Sequence, residues 1–86
     1  MAVEWLQSAL ERLAELWLSA DQERRADITL STHSLEQTLR RYPLECGESR
    51  ERGRRLCFVG PLAVTFRVDQ ESRVVTVSDV RGLLRY

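Results

Sequence analysis

The chain opens on a short alternating run, Val3-Glu4-Trp5-Leu6, that predicts an edge strand. Ser8 stands three residues before Glu11, the spacing of a capping box, and predicts a helix over residues 8–19. Leu10, Leu13, Ala14 and Trp17 then recur at helical spacing as one buried stripe, with Glu11, Arg12 and Glu15 pointing elsewhere. Ser19-Ala20-Asp21 reads as a break. A second helix fits residues 22–41, where Ile28, Leu35 and Leu39 recur at intervals of seven and four and Ala26 or Thr32 fills the gaps. Ile28-Thr29-Leu30-Ser31-Thr32 has strand propensity, but no turn residue interrupts positions 22–42, and Pro43 ends the helix cleanly.

After Pro43 the pattern changes. Residues 45–53 have no apolar periodicity and read as an exposed loop. Three strand-like runs follow over residues 55–59, 62–68 and 73–80, separated by Gly60-Pro61 and by Asp69-Gln70-Glu71-Ser72. Gaps this short make the three runs antiparallel neighbours. In the middle run Leu62, Val64, Phe66 and Val68 share one face, and Ala63, Thr65 and Arg67 share the other. The predicted fold is therefore α+β: a helical hairpin covering one face of a small, mainly antiparallel sheet, in the order β-α-α-β-β-β. Its core should include Leu13, Trp17, Leu35, Leu39, Val64 and Phe66, with Trp5 also holding the hairpin to the sheet.

At 86 residues the chain has surface enough to bury one core, so residues 1–86 are expected to form a single domain. No run approaches the ~20 apolar residues of a membrane span, and no secretory signal opens the chain, so a cytoplasmic setting is expected. The 13 basic and 13 acidic residues cancel, which argues against a general nucleic-acid coat. The cancellation hides an asymmetry: residues 1–48 hold 5 Arg against 9 acids, and residues 49–86 hold 8 Arg against 4. The second half could thus face phosphates or an acidic peptide. Every basic residue is Arg, which suits bidentate contacts with phosphate or carboxylate but equally reflects a codon bias.

Cys46, Cys57 and the lone His33 give no metal-ligand spacing, and nothing in the sequence places them together. No metal or cofactor is expected. His33 lies mid-helix and reads as structural or exposed. Arg50 and Arg52 alternate with Glu48 and Glu51, the pattern of a solvated loop.

The order of elements, together with Val3-Glu4-Trp5, Leu13 to Trp17, Leu35 to Leu39, Arg54 to Asp69, Arg73 to Val77 and Val80-Arg81, resembles the RelE/ParE superfamily of toxins from type II toxin–antitoxin pairs. The resemblance covers nearly the whole chain. It implies a bacterial toxin that inhibits growth and is wrapped and silenced by a cognate antitoxin protein. One branch cleaves messenger RNA on the ribosome; another poisons DNA gyrase. In the cleaving branch, basic residues stabilise the phosphate while a 2′-hydroxyl attacks, and an acid protonates the leaving oxygen.

On that resemblance Arg55, Arg67, Arg81 and Tyr86 are the catalytic candidates, and Arg54, Arg55, Arg67 and Arg81 the antitoxin-binding candidates. The cleaving branch usually carries an Arg just after the tight turn, where this chain has Ala63, so an endoribonuclease activity is in question. The alternatives are a non-toxic member that serves only as a partner-binding module, and an active ribosome-dependent endoribonuclease. Arg24 and Arg25, on the second helix, are expected to matter less for binding the antitoxin.

Overall fold

A computed structural model describes residues 1–83 of the chain. Strand β1 (Ala2–Trp5) leads into helices α1 (Gln7–Ser19) and α2 (Gln22–Arg41). Strands β2 (Glu48–Ser49), β3 (Arg54–Val59), β4 (Leu62–Asp69) and β5 (Val74–Gly82) follow, with one-turn 3₁₀ helices at Pro43–Glu45 and Glu51–Gly53. The five strands form one sheet in the order β1-β5-β4-β3-β2. β1 runs parallel to β5, a pairing that requires the crossover supplied by α1 and α2, and the other pairs are antiparallel. The helices pack on one face, so the α+β fold expected from the sequence is the one observed, with one strand more than the expected order.

Helix wins over strand at residues 28–32 because helical spacing buries Ile28 with Leu35 and Leu39, and the threonine hydroxyls find partners in the preceding turn. Thr29 Oγ1 donates to the Arg25 carbonyl and Thr32 Oγ1 to that of Ile28, at 3.0 and 2.8 Å. Asp21 caps the helix by accepting from the Arg24 N–H at 2.8 Å, Glu23 lies in the first turn, and Arg40 and Arg41 lie in the last. Ile28, Leu35 and Leu39 are buried as their spacing requires, while Ala26 is exposed and Thr32 is half-buried. They meet Leu62, Val64 and Phe66 of β4 and Val75, Val77 and Val80 of β5 in one apolar core. Trp5 Nε1 donates to Glu36 Oε1 at 2.9 Å and ties β1 to α2.

Four expectations are corrected. First, α1 starts at Gln7 with Leu6 as its N-cap and no side-chain cap, so Ser8 and Glu11 form no capping box. Second, the buried face of α1 is centred on Ala9, with Leu13 and Leu16 half-buried against the core. Leu10, Ala14 and Trp17 line an open groove between the helices, and Trp17 is 39% exposed. Its ring instead carries the Arg25 guanidinium, 4.5 Å from the ring centroid. Third, residues 45–53 are not a plain loop, because Glu48 and Ser49 pair with Leu56 and Arg55 and add an edge strand. Fourth, Cys46 and Cys57, which no sequence pattern joined, stand with their sulfurs 3.0 Å apart.

Candidate functional site

The strands present a second face away from the helices. Register fixes its membership, because directly opposite residues of an antiparallel pair point the same way. Arg54 is opposite Arg67, Leu56 opposite Thr65 and Phe58 opposite Ala63. Across β4 and β5, Ala63 is opposite Arg81, Thr65 opposite Asp79 and Arg67 opposite Thr76. The open face thus carries Arg54, Arg67 and Arg81 around an apolar strip of Leu56, Phe58 and Ala63.

A β-bulge puts Arg81 there. Val75, Val77 and Val80 are all fully buried, yet a gap of three residues cannot keep two side chains on one face of a regular strand. The register shifts opposite Thr65 and Phe66: Asp79 faces Thr65, Val77 faces Phe66, and Ser78 is the extra residue. The shift returns Val80 to the core and turns Arg81 outward. Ser78 Oγ donates to the Thr65 carbonyl at 3.3 Å.

Charge on this face is incompletely balanced. Arg81 Nε meets Asp79 Oδ2 at 3.0 Å, with the Arg81 side chain 76% exposed. Arg54 donates from Nε to the Glu51 carbonyl at 3.4 Å. Arg67 is exposed and has no ion-pair partner among the described residues. Two cations directly opposite on neighbouring strands repel, and an anion bridging them removes the penalty. A shallow concavity lined by Arg54, Leu56, Ala63, Thr65, Ser78, Asp79 and Arg81 lies beside this pair. Phe58, 60% exposed, offers an aromatic surface at its end.

Arg55 is not part of this face. It is opposite Phe66, on the helix side, and its guanidinium is engaged with the segment before β3. It donates to the carbonyls of Leu44, Cys46 and Gly47 at 3.0, 3.2 and 3.2 Å, and to Ser49 Oγ at 3.0 Å. Four of its five N–H groups are thus engaged with the protein, and Arg55 positions the β2 segment. Arg24 and Arg25 are likewise structural rather than bystanders. Arg24 donates to the Leu83 carbonyl at 2.6 Å, and Arg25 to those of Trp17 and Leu18 at 2.8 and 2.9 Å. Tyr86 lies outside the described residues. His33 is exposed on α2, 3.2 Å from Gln37 Nε2, on the helical side of the molecule. Ala63 does occupy the open face just after the turn, between Phe58 and Arg81.

Phe58 and Leu56 were missed in the sequence because β3 is apolar at both parities: Leu56 and Phe58 alternate with Cys57 and Val59. Only the pairing of Cys57 with buried Val64 decides the faces. No cluster of three metal-ligating side chains exists among the described residues, and no helix there is long and apolar enough to cross a membrane.

This architecture is the RelE/ParE toxin fold. A chain of the chromosomal ParDE toxin–antitoxin system of P. aeruginosa superposes with a TM-score of 0.75 over 98% of this chain and 97% of its own, at 15% identity. The RelBE2 toxin–antitoxin complex of Mycobacterium tuberculosis gives 0.75 over 94% and 88%, at 21% identity. The isolated E. coli RelE toxin gives 0.65 over 99% and 86%, at 17% identity. No family model and no curated protein sequence matches the chain.

Proposed function

We propose that the chain is the toxin of a type II toxin–antitoxin pair, acting in the bacterial cytoplasm to arrest growth and held silent by a cognate antitoxin. The observation that carries this reading is the Arg54–Arg67 pair beside Arg81 on an otherwise uncovered sheet face. Such a face takes an anionic ligand, and the ParDE and RelBE2 chains of similar fold come from toxin–antitoxin systems. An acidic, amphipathic antitoxin segment would cover Leu56 and Phe58 with its apolar side and meet the three arginines with its carboxylates. In the free toxin the same arginines would face phosphates of a translation or gyrase target, so the antitoxin would inhibit by occupying the site.

Ala63 weighs against ribosome-dependent RNA cleavage. A cation is missing at the start of β4, and the one carboxylate in the concavity, Asp79, is already paired with Arg81. That observation favours the gyrase arm over the endoribonuclease arm, and it equally supports a second reading, a non-toxic module that only binds its partner. Inducing the chain alone in a bacterial host, while following protein synthesis and plasmid supercoiling separately, tests these readings. Growth arrest with a change in supercoiling is expected, released by co-expression of the antitoxin. Undiminished growth with both read-outs unchanged overturns the toxin reading.

A further inference from the structure

We propose that Cys46 and Cys57 are an oxidation site, closing an intramolecular disulfide on exposure to a low-molecular-weight disulfide such as oxidised glutathione. Both thiols are free, and their sulfurs are 3.0 Å apart, so closure requires only a small further approach. The pair is held together by the fold rather than by chance proximity of side chains. On the Cys46 side, the Arg55 guanidinium grips the carbonyls of Leu44, Cys46 and Gly47. Gly47 sits at φ 75° with its backbone against β3, where a Cβ would collide with the Leu56 carbonyl oxygen. On the Cys57 side, β3 is locked between β2 and β4.

The two sulfurs differ in the way that sequential exchange needs. Cys57 is half-buried and is the more accessible residue of the two, whereas Cys46 is buried. Burial first, then the hydrogen bond and charge of Cys57, push the Cys46 thiol up to about 12, while Arg55 opposes them. Cys57, as thiolate, attacks one sulfur of the small disulfide; a Cys57 mixed disulfide forms and one small thiolate leaves. Capping Cys57 removes that thiol's share in holding the Cys46 proton, while burial, the larger cause, remains. Cys46 then loses that proton to solvent and attacks the Cys57 sulfur, expelling the second small thiolate. Two protein thiols are oxidised to one disulfide, and one small disulfide is reduced to two thiols. The ring so closed, residues 46–57, contains Arg50 and Arg54 at the margin of the open face.

The test is incubation of the reduced, full-length protein with oxidised glutathione, followed by denaturing mass spectrometry and thiol titration. The expected product is a monomer lacking two hydrogens, with no titratable thiol and no glutathione attached. It should melt about 10 °C higher than the reduced form and revert on dithiothreitol treatment. Cys46→Ser should stop at a stable glutathione adduct on Cys57. Cys57→Ser should react at least tenfold more slowly (order of magnitude) because the remaining sulfur is buried. Two thiols still titratable, a stable adduct on the wild-type chain, or disulfide-linked dimers would overturn the proposal. The wild-type result stands whether or not either variant folds.

Discussion

At the scale of single residues, large side chains divide by what surrounds them rather than by hydrophobicity. Phe66 is fully buried, and Phe66→Ala should cost about 3–5 kcal/mol, enough to unfold a domain of this size. Trp17, despite its place in a helical apolar pattern, is partly solvated and covered on one side by Arg25. Trp17→Ala should therefore cost less, about 2 kcal/mol, from the cation–π contact and the part of the ring that is covered. Denaturant titration of the two variants separates these outcomes, and equal losses would contradict the assigned environments. Arg55→Ala should cost about 1–2 kcal/mol because it removes the hydrogen bonds to three carbonyls, of which only that of Cys46 is partly buried, and Arg55→Lys should recover little, since one ammonium cannot reproduce a fork. The sequence could not show this role. Nothing in an Arg-Arg pair on a strand says which of the two faces inward, and the acceptors lie 8 to 11 residues earlier in the chain.

At the scale of elements, helix α2 was legible because its apolar spacing, the absence of turn residues and the terminating proline agree. The edge strand β2 was not, because two polar residues carry no alternation and their pairing is set by β3. The bulge in β5 is written in the Val75, Val77, Val80 spacing, but it becomes readable only once β4 supplies the register. The β4–β5 connection rests on Asp69, whose Oδ1 accepts from the Glu71 and Ser72 N–H groups at 3.0 and 3.2 Å. The Ser72 hydrogen bonds chiefly, with that of Glu71, hold the Asp69 carboxyl below its ordinary value. A depressed carboxylate contributes stability above its unfolded pKa and loses it as pH falls through the folded one. The melting temperature of Asp69→Ala should thus lie below that of the parent at neutral pH. The gap should close in acid, below the ordinary carboxylate range. A gap that persists there would mean the carboxylate is not the source.

At the scale of the whole molecule, the helices cover one face of the sheet and leave the other open. The charge asymmetry along the chain foreshadowed that division: the acidic first half supplies the helices, and the arginine-rich second half supplies β3, β4 and β5. Which arginines cooperate was only partly legible, since Arg54, Arg67 and Arg81 share a face through two registers and a bulge, and Arg55 leaves it by parity. The central claim is that this open face is the acting surface. The most direct measurement is growth after induction of the parent chain and of the Arg67→Glu, Arg81→Glu double variant, with the melting temperature of each purified protein confirming that both fold. The parent should arrest growth and the folded double variant should not, because reversed charges repel the anionic target. Equal arrest by both would contradict the claim.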